Sequence, residues 1–497
     1  MSDIRLRLAP SPTGFLHLGN LRTAIFGYLM AKKLGGKFIL RIEDTDDKRY
    51  VDGAVESLIN ILDRLGINFD EGPVIGGDYG PYIQTERLEI YQKYARELVE
   101  KGEAYYCFCS SERLEELRTE QTANHQPPRY DRACREISLA EADKRIANGE
   151  AYVIRQKMPL TGEVTVSDAL RGDITFPAAD LDDQVLMKSN GIPTYQLASV
   201  IDDHLMEISH VTRGAEWLPS FPKNILLYQA FGWTPPEFIH LPLILNKTGG
   251  KLSKRQGDVF VEQYLDKGYL PIAIINFCAL LGWHPQGEQE IFNTWEELIT
   301  EFDYHKINVS PAIFDPDKFF FLNGYHIRQL PIEQLTELLL PFLQENQQLA
   351  AKSSKNSLNF SQKIAKLYQE RLKYLAEIGE LSHNLYLDQI DYSEPSLLIW
   401  KKSDALGTIT ALERDLDFIK NYPEENWGTE ALQLATMDFL KNNNLATGDH
   451  LWPWRVALSG LAASPSPFEL ADALGKEETI ERLSAALKAI QDYQKML

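Results

Sequence analysis

Residues 4–42 constrain the fold more than any other part of the chain. Ile4, Leu6 and Leu8 alternate as on a strand, Pro10 to Gly14 carry turn chemistry, and Leu18, Leu21, Ile25, Tyr28 and Leu29 then recur at helical spacing. Gly35-Gly36 stops the helix, and a second apolar run, Phe38 to Ile42, follows at once. This is a βαβ unit. It predicts a parallel α/β sheet whose ligands sit where the first strand turns into its helix. That turn holds Ser11, Thr13, Gly14, His17 and Gly19. Free backbone N–H groups at a helix start, together with a histidine donor, suit a phosphate; an ordinary strand-turn-helix joint with a surface histidine has the same local signature.

The acids Glu43, Asp44 and Asp46 follow the second strand, where they could hold an amine, a ribose hydroxyl or a metal. Thr45 or Asp46 is also a candidate cap for a helix carrying Val51, Val55, Leu58, Ile59 and Leu62 as its stripe. A further helix carries Leu88, Tyr91, Tyr94, Ala95 and Leu98. From Cys107 to Ser189 the βα rhythm gives way to short polar helices and strands, an α+β insertion. It closes on an expected hairpin, Val185 to Val200, turning at Asn190-Gly191 with Tyr195 on the second strand. Strand-like residues Met206 to Thr212 and a helix from Phe221 to Phe231 resume the sheet.

Charge narrows the partners. Lys and Arg number 51 against 71 Asp and Glu, so the net charge is −20 and any nucleic-acid site must be a local patch. No apolar run reaches bilayer length and no signal-like segment opens the chain, which predicts a soluble cytoplasmic protein without membrane contact. The four cysteines suit free thiols in a reduced compartment. Zinc at Cys107, Cys109 and Cys134 is the alternative, with Tyr130 or Glu136 as fourth ligand; no metal is expected. Asp202-Asp203-His204, placed on a strand, cannot converge on one ion and predict a hydrogen-bonding role.

A second anchor lies far downstream. Asn246-Lys247-Thr248-Gly249-Gly250 leads into Lys251-Leu252-Ser253-Lys254-Arg255, a Gly-rich basic loop able to close over a polyphosphate. Together, His17-Leu18-Gly19-Asn20 and Lys251 to Arg255 resemble the two signature motifs of class I aminoacyl-tRNA synthetases. Arg7 to Gly14, Arg41 to Asp46, Thr212 to Leu218 and Leu280 to Trp283 narrow the resemblance to bacterial-type glutamyl-tRNA synthetases. It is dense over roughly residues 5 to 325 and looser beyond. Asn20 and Arg255 depart from the generic motifs, and both lysines remain.

The resemblance implies an α/β Rossmann-type catalytic domain (1–106 and 190–256), an α+β insertion binding the tRNA acceptor end (107–189) and a stem-contact helical domain (257–322). All-α anticodon-binding subdomains would follow at 323–380 and 381–497. It implies activation of L-glutamate by ATP, with Mg2+ arriving with ATP, and transfer to tRNA(Glu); whether tRNA(Gln) is also an acceptor stays open. A monomer suffices. His17, Lys251 and Lys254 would be catalytic, and Arg7, Ser11, Glu43, Tyr195 and Arg213 would form the glutamate pocket. ATP would lie on His17, Gly19, Glu216, Trp217, Lys251, Leu252 and Lys254, and Asp44 near the tRNA 3′ end. The basic residues Lys363, Lys366, Arg371 and Lys373, expected on a helix after a polar loop at 344–361, could meet the anticodon stem, although a solvated helix face would carry the same pattern.

An already ionised carboxylate attacks the α-phosphorus, so no general base is required and catalysis is positioning plus charge stabilisation. A preorganised donor of this kind is worth about 3 to 4 kcal/mol. Lys254→Ala is therefore expected to lower ATP–pyrophosphate exchange, assayed with tRNA present, on the order of a hundredfold or more. Unchanged exchange would remove Lys254 from the chemistry.

Overall fold

The computed structural model describes residues 3–12, 14–46, 49, 51–250, 260–350 and 352–497. Two compact units result: Met1–Asp266 with Pro271–Lys318, and Lys267–Leu270 with Phe319–Leu497.

The first unit opens with β1 (Arg5–Leu8), α1 (Leu18–Lys33) and β2 (Lys37–Leu40), the expected βαβ. β1 is buried throughout, as parallel strands covered on both faces are. Its alternation puts Leu6 and Leu8 on one face and Arg5 and Arg7 on the other. Gly35, at φ +68, ends α1 in a conformation that a Cβ would oppose. α2 (Ala54–Arg64) starts from Gly53, so neither Thr45 nor Asp46 caps it; the stripe is real at Leu58 and Leu62, whereas Val51 is exposed. α3 (Leu88–Glu100) buries Tyr91, Ala95 and Leu98.

The next segment contains β3 (Ala104–Cys107), α4 (Ser111–Ala123), α5 (Leu139–Ala147), β4 (Val153–Gln156), β5 (Glu163–Asp168), β6 (Gly172–Pro177) and β7 (Val185–Met187). β3, β4 and β7 form a small antiparallel sheet. The β5–β6 hairpin instead joins the main sheet. α6 (Tyr195–Leu205) corrects the expected hairpin: Gly191 does turn the chain, but Tyr195 opens a helix. Leu197, Val200 and Ile201 bury one face of it, and a helical stripe overrides the local turn signal. β8 (His210–Gly214), α7 (Phe221–Phe231) and β9 (Glu237–Leu241) complete the layer.

The sheet order is β2-β1-β8-β9-β5-β6, parallel except for the β5–β6 pair. The chain steps from β1 to β2 on one side and returns to β8 on the other. A crevice therefore opens at the C-terminal ends of β1 and β8. After β10 (Ile244–Leu245), the unit continues through α8 (Val261–Asp266), α9 (Pro271–Ala279), α10 (Trp295–Glu301) and β11 (Ala312–Ile313), the last parallel to β10.

The second unit is helical. Pro316–Arg328 (α11) leads into it, followed by α12 (Ile332–Leu349), α13 (Leu358–Tyr368), α14 (Glu377–Tyr386), α15 (Ala405–Asn421), α16 (Thr429–Asn442), α17 (Thr447–Ser459), α18 (Pro467–Leu474) and α19 (Lys476–Met496). α12 packs on α13 and α14, and α15 on α17 and α19. The polar stretch at 344–361 is only partly loop, because α12 runs on to Leu349 with Asn346 buried against α14. Lys363 and Lys366 lie on α13, but Arg371 and Lys373 fall beyond its end; Lys363 and Arg371 face α18 through Asp472 and Glu469.

Below the crevice, Asp202 is fully buried. It accepts from Gln84 Nε2 at 2.9 Å, Arg87 Nε at 2.8 Å and the Tyr91 hydroxyl at 2.8 Å, tying α6 to α3. Removing one member of such a buried cluster strands the rest, at about 3–5 kcal/mol. Asp202→Ala is expected to lower the unfolding free energy by that much, as read by denaturant titration with circular dichroism; a change below about 1 kcal/mol would refute the clamp.

Candidate active site

A cleft of about 700 Å³ occupies the crevice. Its lining includes Arg7, Ser11, His17, Gly19, Glu43, Tyr195, Arg213, Glu216 and Trp217. The fold thus gathers the expected glutamate and ATP residues of the first half of the chain into one cavity. Lys251, Leu252 and Lys254 lie outside the described residues.

His17 is the N-cap of α1, and its Nδ1 accepts from the Gly19 N–H at 3.1 Å. The lone pair is therefore at Nδ1 and the ring proton at Nε2, the tautomer that donates to a phosphate oxygen. The same bond commits the Gly19 N–H to His17. Glu216 and Trp217 follow β8 in a short 3₁₀ turn (Ala215–Ser220), and the Trp217 ring lies 4.5 Å from that of Tyr195.

Around these residues lies a lattice of buried charge. Arg7 donates to Asp203 through Nε at 2.9 Å and Nη2 at 3.3 Å. Arg41 donates to Asp203 at 2.8 Å and to Glu43 at 3.0 Å, and stands 3.7 Å from Asp202. Asp202 and Asp203 do play the hydrogen-bonding role expected of them, but from α6 and not from a strand: successive helical residues diverge by about 100°, so Asp202 faces α3 and Asp203 faces β1. Burial works against Asp203, yet Arg7 and Arg41 hold its carboxyl below the usual carboxylate value. Burial raises Glu43 to about 7 against the pull of Arg41 and Arg7.

Arg213, at the end of β8, differs from Arg7. Its Nε donates to His240 Nε2 at 2.9 Å and its Nη1 to Asn224 Oδ1 at 3.1 Å, and it forms no ion pair among the described residues. Asp44 is turned away: both of its oxygens accept from Thr85, from the backbone N–H at 2.9 Å and the hydroxyl at 2.5 Å, and it is not among the residues lining the cleft. Arg41, Asp203, Asn224 and His240 were not evident as site residues. Arg41 carried a sequence signal as the start of the phrase that ends in Asp46, and Asp203 as part of Asp202-Asp203-His204; Asn224 and His240 carried none.

Apart from the cleft, the Sγ atoms of Cys107, Cys109 and Cys134 lie within 4.8 Å of one another, the only metal-competent cluster among the described residues. The Tyr130 hydroxyl is 3.2 Å from Cys107 Sγ, whereas Glu136 is exposed and points to Arg135.

A switch-point cleft lined by a histidine-capped helix, Arg213 and a lattice of buried charge suits an amino acid beside a nucleotide. Residues 3–320 match the family described as tRNA synthetases class I (E and Q), catalytic domain. The chain belongs to that family. Residues 334–487 match an anticodon binding domain. A glutamate–tRNA ligase of Clostridium botulinum is 46% identical over 496 residues, covering 99% of this chain and all of the relative. One of Finegoldia magna is 44% identical, covering 98% of this chain and all of the relative. The crystal structure of a glutamate tRNA ligase from Elizabethkingia meningosepticum, in complex with its amino acid, superposes with a TM-score of 0.86 at 35% identity, covering 98% of this chain and 99% of that one. An α/β catalytic unit of class I type followed by a helical anticodon-binding unit is therefore the architecture of this synthetase.

To hold the substrate ammonium, as the resemblance implies, Glu43 must be ionised. With Glu43 near 7 in the free protein, kcat/KM for the amino acid is expected to fall as pH drops below about 7, by up to about tenfold per unit. In Glu43→Gln that acidic limb should vanish; its persistence would assign it to another group.

Proposed function

We infer that this synthetase is a glutamate–tRNA ligase, which condenses L-glutamate with ATP to glutamyl-adenylate and diphosphate and then transfers glutamate to the 3′ end of tRNA(Glu). The observation that carries the choice of amino acid is the charge of the crevice. Arg213 is buried without an ion pair among the described residues, and Glu43, which lines the same cleft, would take the substrate ammonium. The near-full-length identity to glutamate–tRNA ligases supports the same substrate.

The α-carboxylate attacks the α-phosphorus of ATP, which enters as its Mg2+ complex, and pyrophosphate leaves. Arg7 and Arg213 hold the carboxylates, with Arg213 on the side chain. Ser11 and Tyr195 shape the pocket, and His17 Nε2–H meets the phosphate oxygens. Glu216 and Trp217 border the adenosine. Lys251 and Lys254, with Leu252 beside them, bring positive charge to the triphosphate from the second motif, and Asp44 stands near the tRNA terminus. In the second step the acceptor adenosine attacks the adenylate carbonyl and AMP departs.

Segment 107–189 takes the acceptor end, 257–322 the stem, and 323–380 and 381–497 the anticodon arm. No described helix is long and apolar enough to cross a membrane. A cytoplasmic monomer accords with this reading.

Charging of purified tRNA(Glu), tRNA(Gln) and no tRNA, each with glutamate and with glutamine, tests the function. Glutamate on tRNA(Glu) is the expected product, and charging with glutamine alone would overturn it. Glutamate on tRNA(Gln) decides the second acceptor.

A further inference from the structure

Of Arg7, Arg41 and Arg213, only Arg213 is held by neutral acceptors through side chains; Arg22, which also lines the cleft, donates to the backbone carbonyls of Leu281 and Pro242. Arg7 and Arg41 lie against Asp203. Arg213 places Nε on His240 and Nη1 on Asn224, and its third nitrogen, Nη2, is buried without a hydrogen bond. Phe221 and Phe238 wall the guanidinium, which lies 5.6 and 5.0 Å from the two ring centres.

The partner behind His240 fixes its state. An arginine Nε–H can only donate, so His240 Nε2 must offer its lone pair and the ring proton must sit on Nδ1. That proton goes to Asp168 Oδ2 at 2.7 Å. The same carboxylate takes the His240 backbone N–H at 3.0 Å through Oδ2, and the Leu170 and Arg171 N–H groups at 3.1 and 3.0 Å through Oδ1. Arg171 closes the arrangement through its bond to the His240 carbonyl. Asp168 and His240 are both sealed from solvent, with side chains 0% exposed. Burial lowers the His240 pKa to about 4, in keeping with a neutral ring.

We propose that Asp168, His240 and Asn224 form a positioning relay that orients Arg213 without neutralising it, so that its charge is spent on the side-chain carboxylate of glutamate and denied to the neutral amide of glutamine. A carboxylate in the place of His240 would orient the guanidinium equally well but would answer its charge from within the protein. Imidazole offers an acceptor with no charge, and Asp168 selects the tautomer that accepts. The proposal rests on the reading of Arg213 as the side-chain reader.

The test is glutamate- and glutamine-dependent ATP–pyrophosphate exchange with tRNA present, on the full chain and on His240→Leu, His240→Gln, Asp168→Asn and Arg213→Leu, each checked for folding by its thermal transition. His240→Leu is expected to raise KM for glutamate by roughly ten- to a hundredfold, the weight of a hydrogen bond to a charged group. KM for ATP should stay unchanged, and the preference for glutamate over glutamine should shrink by a similar factor. His240→Gln, whose amide oxygen can stand where Nε2 accepts, should recover most of both. Asp168→Asn must turn an amide N–H toward one of the N–H groups that the carboxylate now accepts, so it should shift in the same direction as His240→Leu and serves should that variant not fold. If His240→Leu or Asp168→Asn folds and keeps both KM for glutamate and the preference within twofold, or loses only kcat, the relay is refuted while Arg213 can still be the reader. If Arg213→Leu keeps the glutamate preference, the reading of Arg213 itself fails.

Discussion

The Arg7–Asp203–Arg41–Glu43 lattice is the interaction on which the rest depends. Its members come from β1, from the chain after β2 and from α6, and all are nearly inaccessible to water. Charges so placed are tolerated only when paired and hydrogen-bonded, so the lattice dictates how α6 sits against the strand ends. Asp202 extends it to Arg87 and the Tyr91 hydroxyl. A register error in β1 by one residue would bring Leu6 or Leu8 to the carboxylates and send the arginines to the apolar face. Folding and the charge of the crevice are thus specified by the same side chains.

The buried ion pairs beneath the crevice form a set apart from Arg22, Asp46, Arg49, Lys188 and Glu216, which also line the cleft. The guanidinium groups of Arg7, Arg41 and Arg87 pair with the carboxylates of Glu43, Asp202 and Asp203, and Arg213 stands beside the crevice on His240 and Asn224. Fully ionised, this set is one negative charge short. Glutamate, with two carboxylates and one ammonium, supplies that charge; glutamine, with one of each, does not. On the proposed reading, the substrate would supply the charge that this buried set lacks.

How much of this was legible in the sequence depended on the range over which each feature is determined. The first βαβ unit and the helix Phe221–Phe231 were, because a switch of period from two to 3.6 between turn residues is written locally. At Asn190-Gly191 the turn itself was right, with Gly191 at φ +77 and a bridge between Met187 and Pro193. A turn, however, does not decide the type of the next element; Leu197, Val200 and Ile201 do, and their spacing is helical. The same spacing places Asp202 and Asp203 on a helix, and their divergence there sends one to each half of the lattice. The His240–Asp168 contact spans 72 residues and exists only because β5 pairs with β9. No local pattern announces it: a buried histidine on a strand has the same sequence signature whatever lies behind it.

The three ways in which the crevice residues are partnered suggest a division of labour. Arg7 is answered by Asp203, so it contributes geometry more than net charge to a bound carboxylate. Arg213 is oriented by neutral atoms and keeps its charge. Glu43, buried beside Arg41, is held near 7 because one direct cationic partner offsets only part of its desolvation. On the proposed reading, an ammonium arriving at Glu43 would be a second cation, favouring the ionised form as the substrate's carboxylates reach the arginines. Each end of the amino acid would then strengthen the site for the other. A ligand lacking either charge would forfeit the mutual term as well as its own contact, and selectivity would exceed what any one of these residues could provide alone.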